Sequence, residues 1–153
     1  MNLIVSPHPD DEIIGCSEVL KEGSIIIYDG DTLAARREEA MRLKDEIPTV
    51  QLFLRNIPSN LLNKEMTYYF PDPIHETHPL HRHWGMLGEG LARGKYDVVF
   101  YSVIMNVPYI HELSETDMKR KEELLDKIYP SQKSLWEREK KYILFEGRCK
   151  WMF

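Results

Sequence analysis

Near its start the chain reads Leu3-Ile4-Val5-Ser6-Pro7-His8-Pro9-Asp10-Asp11-Glu12. The apolar run at residues 3–5 has the character of a buried β-strand, and the acidic stretch leads into a second apolar run that begins a helix. The turn between them carries one imidazole and two adjacent carboxylates. Because ligands of open α/β sheets bind outside the carboxyl ends of the strands, we expect this turn to carry chemistry.

The spacing of His8 and Asp11 suits a metal ion. Together they offer one nitrogen and one oxygen ligand to a borderline metal such as Zn²⁺. The neighbouring Asp10 is then free to handle a proton. A purely structural interpretation stays open at this point, because Pro and Asp form turns and Asp can cap the N-terminus of a helix.

A second candidate segment lies at residues 75–83, where four of the six histidines of the chain fall within nine positions. His78 and His81 are three residues apart and would share one face of a helical turn. A solvated loop or an adventitious metal-binding tract is the alternative interpretation. Together with His8 and Asp11, however, this segment completes a set of two histidines and one carboxylate, the ligands of a catalytic zinc that keeps a position open for water.

Both segments resemble motifs of the LmbE/PIG-L family of zinc-dependent N-deacetylases. Residues 7–12, Pro-His-Pro-Asp-Asp-Glu, resemble the first motif of that family. Residues 78–82, His-Pro-Leu-His-Arg, resemble the second motif, which usually reads His-Pro-Asp-His-Arg. Weaker similarities at residues 25–31, 36–40, 53–58 and 119–132 follow in the order of the family, so the resemblance covers nearly the whole chain.

The resemblance implies a role for each matching residue. The implied zinc ligands are His8, Asp11 and His81. Asp10 would be the general base that takes a proton from the attacking water. A protonated His78 would polarise the acetamide oxygen and stabilise the oxyanion. Arg36 would contact sugar hydroxyls, although Arg37 is nearly as plausible from the local alignment.

The chain departs from the family pattern at two positions and in its length. Leu80 replaces the usual acidic residue of the second motif, so one expected hydrogen-bond acceptor behind the metal ligands must be lost or supplied elsewhere. Ser59 stands where an acidic residue commonly follows Ile-Pro. The chain is also short for the family, which predicts trimmed loops around the substrate pocket.

The function that the resemblance implies is a zinc-dependent hydrolase that removes an N-acetyl group from an N-acetylglucosamine-type sugar or glycoconjugate. Other divalent transition metals suit the same ligands. One alternative is a metal-dependent hydrolase of another acyl or amide bond, and another is an inactive relative that binds a glycan or a metal. Asp10 speaks against the inactive relative, because binding alone does not require a spare carboxylate beside the ligands.

Composition places further limits on function. With 20 basic and 25 acidic residues the net charge is −5, which disfavours a nucleic-acid partner because such binding relies on basic clusters. We expect a small-molecule substrate instead. The chain shows neither a GxGxxG pattern nor a Walker loop, so nucleotide binding lacks its usual sequence support.

Length and patterning predict one domain, residues 1–153, large enough to bury a core. The longest apolar stretch, near residues 98–105, is far shorter than the roughly 20 residues of a membrane span. The two cysteines indicate no disulfide framework, as in a reducing compartment. We therefore expect a cytoplasmic protein, and the sequence leaves its oligomeric state open.

Alternating strand and helix patterns predict a Rossmann-like, mostly parallel sheet with helices on both faces. The predicted strands are residues 2–6, 24–28, 50–54, 97–102, 142–145 and 150–152. The predicted helices are residues 11–21, 32–46, 79–92, 115–128 and 131–140. Residues 56–73 contain Tyr68-Tyr69-Phe70, which we interpret as a pocket wall or a short edge strand.

Several other residues attract weaker predictions. His75 and His83 could ligate or gate the site, whereas His111 has the pattern of a loop residue. Glu12 would orient a ligand or cap the helix, and Trp84 would pack in the core or line the cavity. Met105-Asn106 follows a predicted strand and could contact substrate.

Overall fold

The apolar run at the start of the chain forms the middle of a sheet. In the computed structural model, which describes residues 1–105 and 107–151, Asn2–Ser6 is a strand. This strand has parallel neighbours on both sides, and Leu3, Ile4 and Val5 are fully buried because apolar clusters cover both faces of the sheet there. Such strands read as continuous apolar runs, since both faces are covered.

In the part of the chain that the structure describes, the strands are Asn2–Ser6 (β1), Ile25–Asp29 (β2), Val50–Leu54 (β3), Thr67–Pro71 (β4), Asp97–Ser102 (β5), Ile110–Glu112 (β6) and Phe145–Cys149 (β7). The α-helices are Asp11–Cys16 (α1), Ala34–Met41 (α2), Leu43–Glu46 (α3), Pro79–Arg93 (α4), Glu115–Ile128 (α5), Lys133–Arg138 (α6) and Lys141–Leu144 (α7). Single 3₁₀ turns lie at Ser59–Leu61 and Pro130–Gln132.

The seven strands form one sheet in the order β3-β2-β1-β4-β5-β7-β6. The first five strands of this order are mutually parallel, and β7 runs antiparallel to both β5 and β6. The order reverses between β1 and β4. In such sheets the crevice outside the carboxyl ends at this reversal is the usual ligand site, and the loops after β1 and β4 carry the two histidine motifs.

Apolar side chains cover both faces of the sheet. Ile4 packs in one cluster with residues of α1 and α5. Leu3 and Val5 point to the other face and pack in a second cluster with Trp84 of α4. The predicted α/β architecture, a mostly parallel Rossmann-like sheet with helices on both faces, is therefore confirmed.

Helix α4 lies unusually close to β4 and the loop that follows it. A Cβ atom added to Gly85 would lie 2.7 Å from the carbonyl oxygen of Pro71 and 2.8 Å from the backbone of Pro73. Only glycine permits this approach without a backbone shift. The close contact fixes the first turn of α4, which carries His81, against the carboxyl end of β4.

Three strand predictions are wrong, and β6 was not predicted. Tyr68-Tyr69-Phe70 belongs to β4, a central strand between β1 and β5 rather than an edge or a pocket wall. The turn-forming residues around it conceal its burial. Residues 142–144 belong to the short helix α7. The last strand, β7, begins at Phe145 and lies between the two terminal strands that the sequence predicts. Of predicted residues 150–152, Lys150 and Trp151 lie outside any strand, and Met152 lies outside the described residues.

Helix boundaries also differ from the predictions. The first helix ends at Cys16, and the predicted helix over residues 32–46 is divided into α2 and α3 at Arg42. The prediction over residues 131–140 shortens to α6. Strands β1, β3 and β5 and helix α5 have the predicted bounds. Within the described ranges, every helix is too short or too polar to cross a bilayer.

Candidate functional site

The turn after β1 brings three side chains of the first motif to the carboxyl edge of the sheet. Asp10 adopts φ 114° and ψ −26°, a conformation that non-glycine residues rarely adopt and that clusters at functional sites. Asp11 opens α1, and its Oδ2 accepts a hydrogen bond of 2.9 Å from the backbone N–H of His8. The strained turn therefore directs neighbouring carboxylates of Asp10 and Asp11 to different partners.

The second motif forms the start of α4. His78 is the N-cap residue, and Pro79 occupies the first turn, where its missing N–H costs no hydrogen bond. His81 lies one turn further along and is buried, with 3% of its surface exposed. The sequence prediction that His78 and His81 share one helical face is confirmed, since their ring centroids are 5.3 Å apart.

Three predicted ligand atoms converge from these two motifs. Nδ1 of His8 lies 3.0 Å from Nε2 of His81. Oδ2 of Asp11 lies 3.0 Å from the same His81 nitrogen and 3.5 Å from the His8 nitrogen. Donor atoms of a tetrahedral zinc site are about 3.3 Å apart, because each is about 2.0–2.1 Å from the ion. The spacing and chemistry of the three donors thus fit zinc.

His78 offers a second way to complete a metal site. Nitrogens of His8, His78 and His81 lie within 4.8 Å of one another and could hold an ion. Nδ1 of His78, however, accepts a 3.2 Å hydrogen bond from the backbone N–H of Leu80. A neutral imidazole then carries its proton on Nε2 and can donate from there. This bond favours His78 as a hydrogen-bond donor rather than a ligand.

Desolvation and the neighbouring His8 and His81 rings lower the pKa of His78 below its usual value. The neutral ring is therefore favoured at neutral pH, in contrast to the protonated form of the sequence analysis. The donor role does not require the extra proton, because the neutral form keeps Nε2–H.

A buried carboxylate behind His81 was missed by the sequence analysis. Oε2 of Glu76 lies 3.2 Å from Nδ1 of His81, and its Oε1 accepts a 2.7 Å bond from the backbone N–H of Val103. In the neutral ring, a carboxylate that accepts from Nδ1 leaves Nε2 unprotonated toward the site. Glu76 thus supplies the acceptor that Leu80 lacks. Its only sequence signal is an acidic residue within the histidine-rich segment.

The same carboxylates set the charge of His81. Although burial disfavours the cation, Asp11 and Glu76 together raise the pKa of His81 to about 10. Burial also opposes ionisation of Asp11, yet His81 and His8 lower the pKa of Asp11 below its usual range. A proton on His81 and a bound cation therefore compete for one place.

Asp10 faces Arg36 rather than the three converging atoms. Nη2 of Arg36 lies 2.8 Å from Oδ2 of Asp10 and also donates to the carbonyl oxygen of Pro9. Burial and Asp11 raise the pKa of Asp10, and Arg36 opposes that rise. A cation bound beside Asp10 would, like Arg36, lower the pKa of Asp10.

Arg36, and not Arg37, faces the site. Arg37 lies outside it, with its guanidinium 4.4 Å from the ring centre of Phe53. Arg36 instead borders a cavity of about 240 Å³ that reaches His8. Among its other lining residues are Asp31, Thr32, Leu33 and Leu80.

Glu12 is completely buried and anchors the first motif. Its Oε2 accepts hydrogen bonds from the hydroxyl of Ser6 at 2.7 Å and from the backbone N–H of Asp10 at 3.1 Å. Its Oε1 accepts from the hydroxyls of Tyr28, at 2.8 Å, and Tyr129. Glu12 therefore holds the strained backbone of Asp10 in place.

The remaining predicted residues contact other partners. Nδ1 of His75 lies 3.1 Å from the buried carboxylate of Asp72. His111 lies in strand β6 and not in a loop, and its Nε2 is 2.8 Å from Glu18 at the surface. Trp84 is a core residue whose Nε1 donates to Asp29. The exposed ring of His83 packs against Trp84. Met105 is buried, and Asn106 lies outside the described residues.

No family model matches the chain, and no curated protein matches it significantly. Its structure is similar to the crystal structure of the antimicrobial reagent A40926 pseudoaglycone deacetylase Dbv21. The TM-score is 0.59 at 12% sequence identity, over 99% of this chain and 98% of that chain. At this level of identity the likeness shows that the two proteins share a fold.

Proposed function

We propose that this protein is a zinc-dependent hydrolase that removes the acetyl group from an N-acetylglucosamine-type sugar or glycoconjugate. The observation that carries the proposal is the convergence of His8 Nδ1, Asp11 Oδ2 and His81 Nε2 to within 3.0–3.5 Å of one another. Such a set belongs to catalytic zinc sites with an open position. The fold shared with a deacetylase supports the same reaction class.

The proposed zinc ligands are His8, Asp11 and His81. When bound there, zinc supplies a Lewis acid and lowers the pKa of bound water to about 7. Asp10, the general base in this proposal, accepts a proton from the attacking water and returns it to the leaving amine.

In this proposal His78 acts on the acetamide group of the substrate, whereas Asp10 acts on the attacking water. Its Nε2–H donates to the acetamide oxygen, on which negative charge develops as water adds to the carbonyl carbon. Because Nδ1 is already held by the Leu80 backbone, the ring is oriented before substrate arrives. Such preorganised donors are typically worth about 10²–10³ in rate.

The cavity beside Arg36 and His8 is the proposed sugar site. Its volume of about 240 Å³ lies below the roughly 300–1,000 Å³ of sites for drug-sized ligands. It therefore suits a group of about one sugar ring. Arg36 would contact hydroxyls of this ring from its place beside Asp10.

We also propose that residues 1–153 form one deacetylase domain that acts in the cytoplasm on a small-molecule substrate.

The proposal is tested by stripping the protein with a chelator, reloading it with zinc and measuring amine release from N-acetylglucosamine derivatives. We expect one zinc per chain, and activity only in the reloaded protein. His8→Ala should lose both zinc and activity. His111→Ala is the matched control, because this histidine pairs with Glu18 at the surface. A stripped protein that keeps full activity would exclude a metal-dependent mechanism.

A further inference from the structure

A leucine occupies the N-cap of α2 at the mouth of the candidate sugar cavity. Leu33 is 73% exposed, and its side chain makes no capping hydrogen bond. Ser, Thr, Asp and Asn are preferred at this position because their side chains accept from the first free N–H groups of the helix. Neither helix stability nor burial in the core therefore accounts for Leu33.

A second leucine lines the same cavity from α4. Leu80 holds the position at which the second motif usually has an acidic residue. It is half-buried against the apolar cluster of Trp84, and its remaining surface lines the cavity. Exposed apolar residues grouped around a concave site mark ligand-binding grooves more often than scattered surface leucines do. Leu33 and Leu80 therefore both add apolar surface to the cavity, which Pro7 also lines.

The exposure of the lining residues gives the cavity an inner end and an outer rim. The side chain of Arg36 is 19% exposed and that of His8 is 32% exposed, whereas Leu33 is 73% exposed. A sugar whose hydroxyls contact Arg36 and whose acetamide reaches His8 fills the inner end. The substituent that meets Leu33 is then the aglycone rather than the acetyl methyl group.

We propose that Leu33 and Leu80 select N-acetylglucosamine-type substrates that carry an apolar aglycone. This inference rests on the proposed function. The cavity has room for about one ring, so the aglycone lies at the rim. There its apolar surface packs against Leu33 and the exposed part of Leu80 and is removed from water. The class of substrate is thus an N-acetylglucosaminide with an alkyl or aryl group on its anomeric oxygen.

The test uses methyl, butyl and hexyl N-acetylglucosaminides, which share the sugar and acetyl group and differ only in the aglycone. For the zinc-loaded wild type we expect kcat/KM to rise by about 10-fold or more from methyl to hexyl. Leu33→Asn should lower the hexyl-to-methyl ratio by about fourfold or more, the effect of one buried methylene group. Leu80→Asn should lower it in the same direction.

The controls separate packing at the rim from folding. Asn is a favoured N-cap residue, so a thermal melt of Leu33→Asn should show no loss of stability. Val50→Thr, at the exposed start of β3 and far from the carboxyl edge, should leave the ratio unchanged. Equal kcat/KM for all three glycosides would overturn this inference and leave the proposed function standing.

Two other outcomes would also count against it. A rate that rises with acyl length but not with aglycone length would place the apolar surface on the other side of the sugar. The absence of amine release from every glycoside would overturn the proposed function and this inference together.

Discussion

The carboxylate of Asp10 pairs with Arg36 and is not one of the three proposed ligand atoms. In the proposed mechanism it moves the proton, so Asp10→Asn should retain zinc and lower kcat by about 10²–10⁴-fold. Asn also adopts positive φ more readily than most residues, which protects the fold of the variant. Metal analysis and amine release from one preparation check the prediction, and full activity would remove Asp10 from the base role.

Glu76 should act through His81 rather than on substrate. Glu76→Gln weakens the acceptor behind Nδ1 of His81, and we expect the Kd for zinc to rise by about 10- to 100-fold. Glu89→Gln is the matched control, because Glu89 is an acidic residue of α4 that pairs with Arg93 near the surface. Zinc titration of both variants checks this, and equal Kd values would mean that Glu76 serves only the fold.

The pKa of His81 predicts how zinc affinity depends on pH. In the metal-free protein a pKa of about 10 keeps His81 protonated at neutral pH, and zinc must displace that proton. Affinity should therefore rise by about tenfold per pH unit between pH 6 and pH 9 and level off near the pKa. Calorimetry in buffers of different ionisation enthalpy should detect the released proton. A Kd that does not change with pH would contradict the assignment of His81 as a ligand.

The sequence placed most of the candidate site because the two motifs have fixed local geometry. His8 and Asp11 lie in one tight turn, and His78 and His81 lie on one helical turn, so only the meeting of two segments had to be inferred. The contact of Glu76 with His81 could not be predicted from the sequence, because it depends on the path of the chain between β4 and α4. That path is determined by tertiary packing and not by spacing along the sequence.

At the scale of elements, the position of α4 depends on Gly85. Gly85→Ala forces a Cβ against the backbone of Pro71 and Pro73, and we expect the free energy of unfolding to fall by about 1–3 kcal/mol. Zinc affinity should fall as well, because the same helix carries His81. Urea denaturation measures the first effect and zinc titration the second.

Gly90 provides the control within the same helix. A Cβ at this position meets no atom within 4 Å, so Gly90→Ala should raise stability by about 0.5–1 kcal/mol. Equal effects of the two substitutions would show that the approach of α4 to β4 is not tight.

Elements were predictable where local pattern and burial agree. Strand β1 and helix α5 have the predicted bounds because an apolar run and an amphipathic, Ser114-capped segment each favour one structure. Strand β4 was mistaken for an edge because turn-forming residues surround Tyr68-Tyr69-Phe70. Its central place comes from pairing with β1 and β5, which are about 65 and 30 residues away in the chain.

At the scale of the whole molecule, the parallel pairing of β1 with β4 produces the candidate site. This pairing places the loops after both strands at the reversal of strand order, and there His8 and Asp11 meet His81 across about 70 residues of sequence. A sequence motif specifies either half of the site, and the topology alone brings the halves together. The fold class could be predicted from the sequence because the alternation of strands and helices is compatible with few topologies.

Anomalous diffraction at the zinc edge, from crystals of the zinc-saturated protein, tests whether His8, Asp11 and His81 hold one ion. We expect one peak per chain, about 2.0–2.2 Å from His8 Nδ1, Asp11 Oδ2 and His81 Nε2. A peak held by His8, His78 and His81 without Asp11, or no peak at this edge of the sheet, would contradict this assignment.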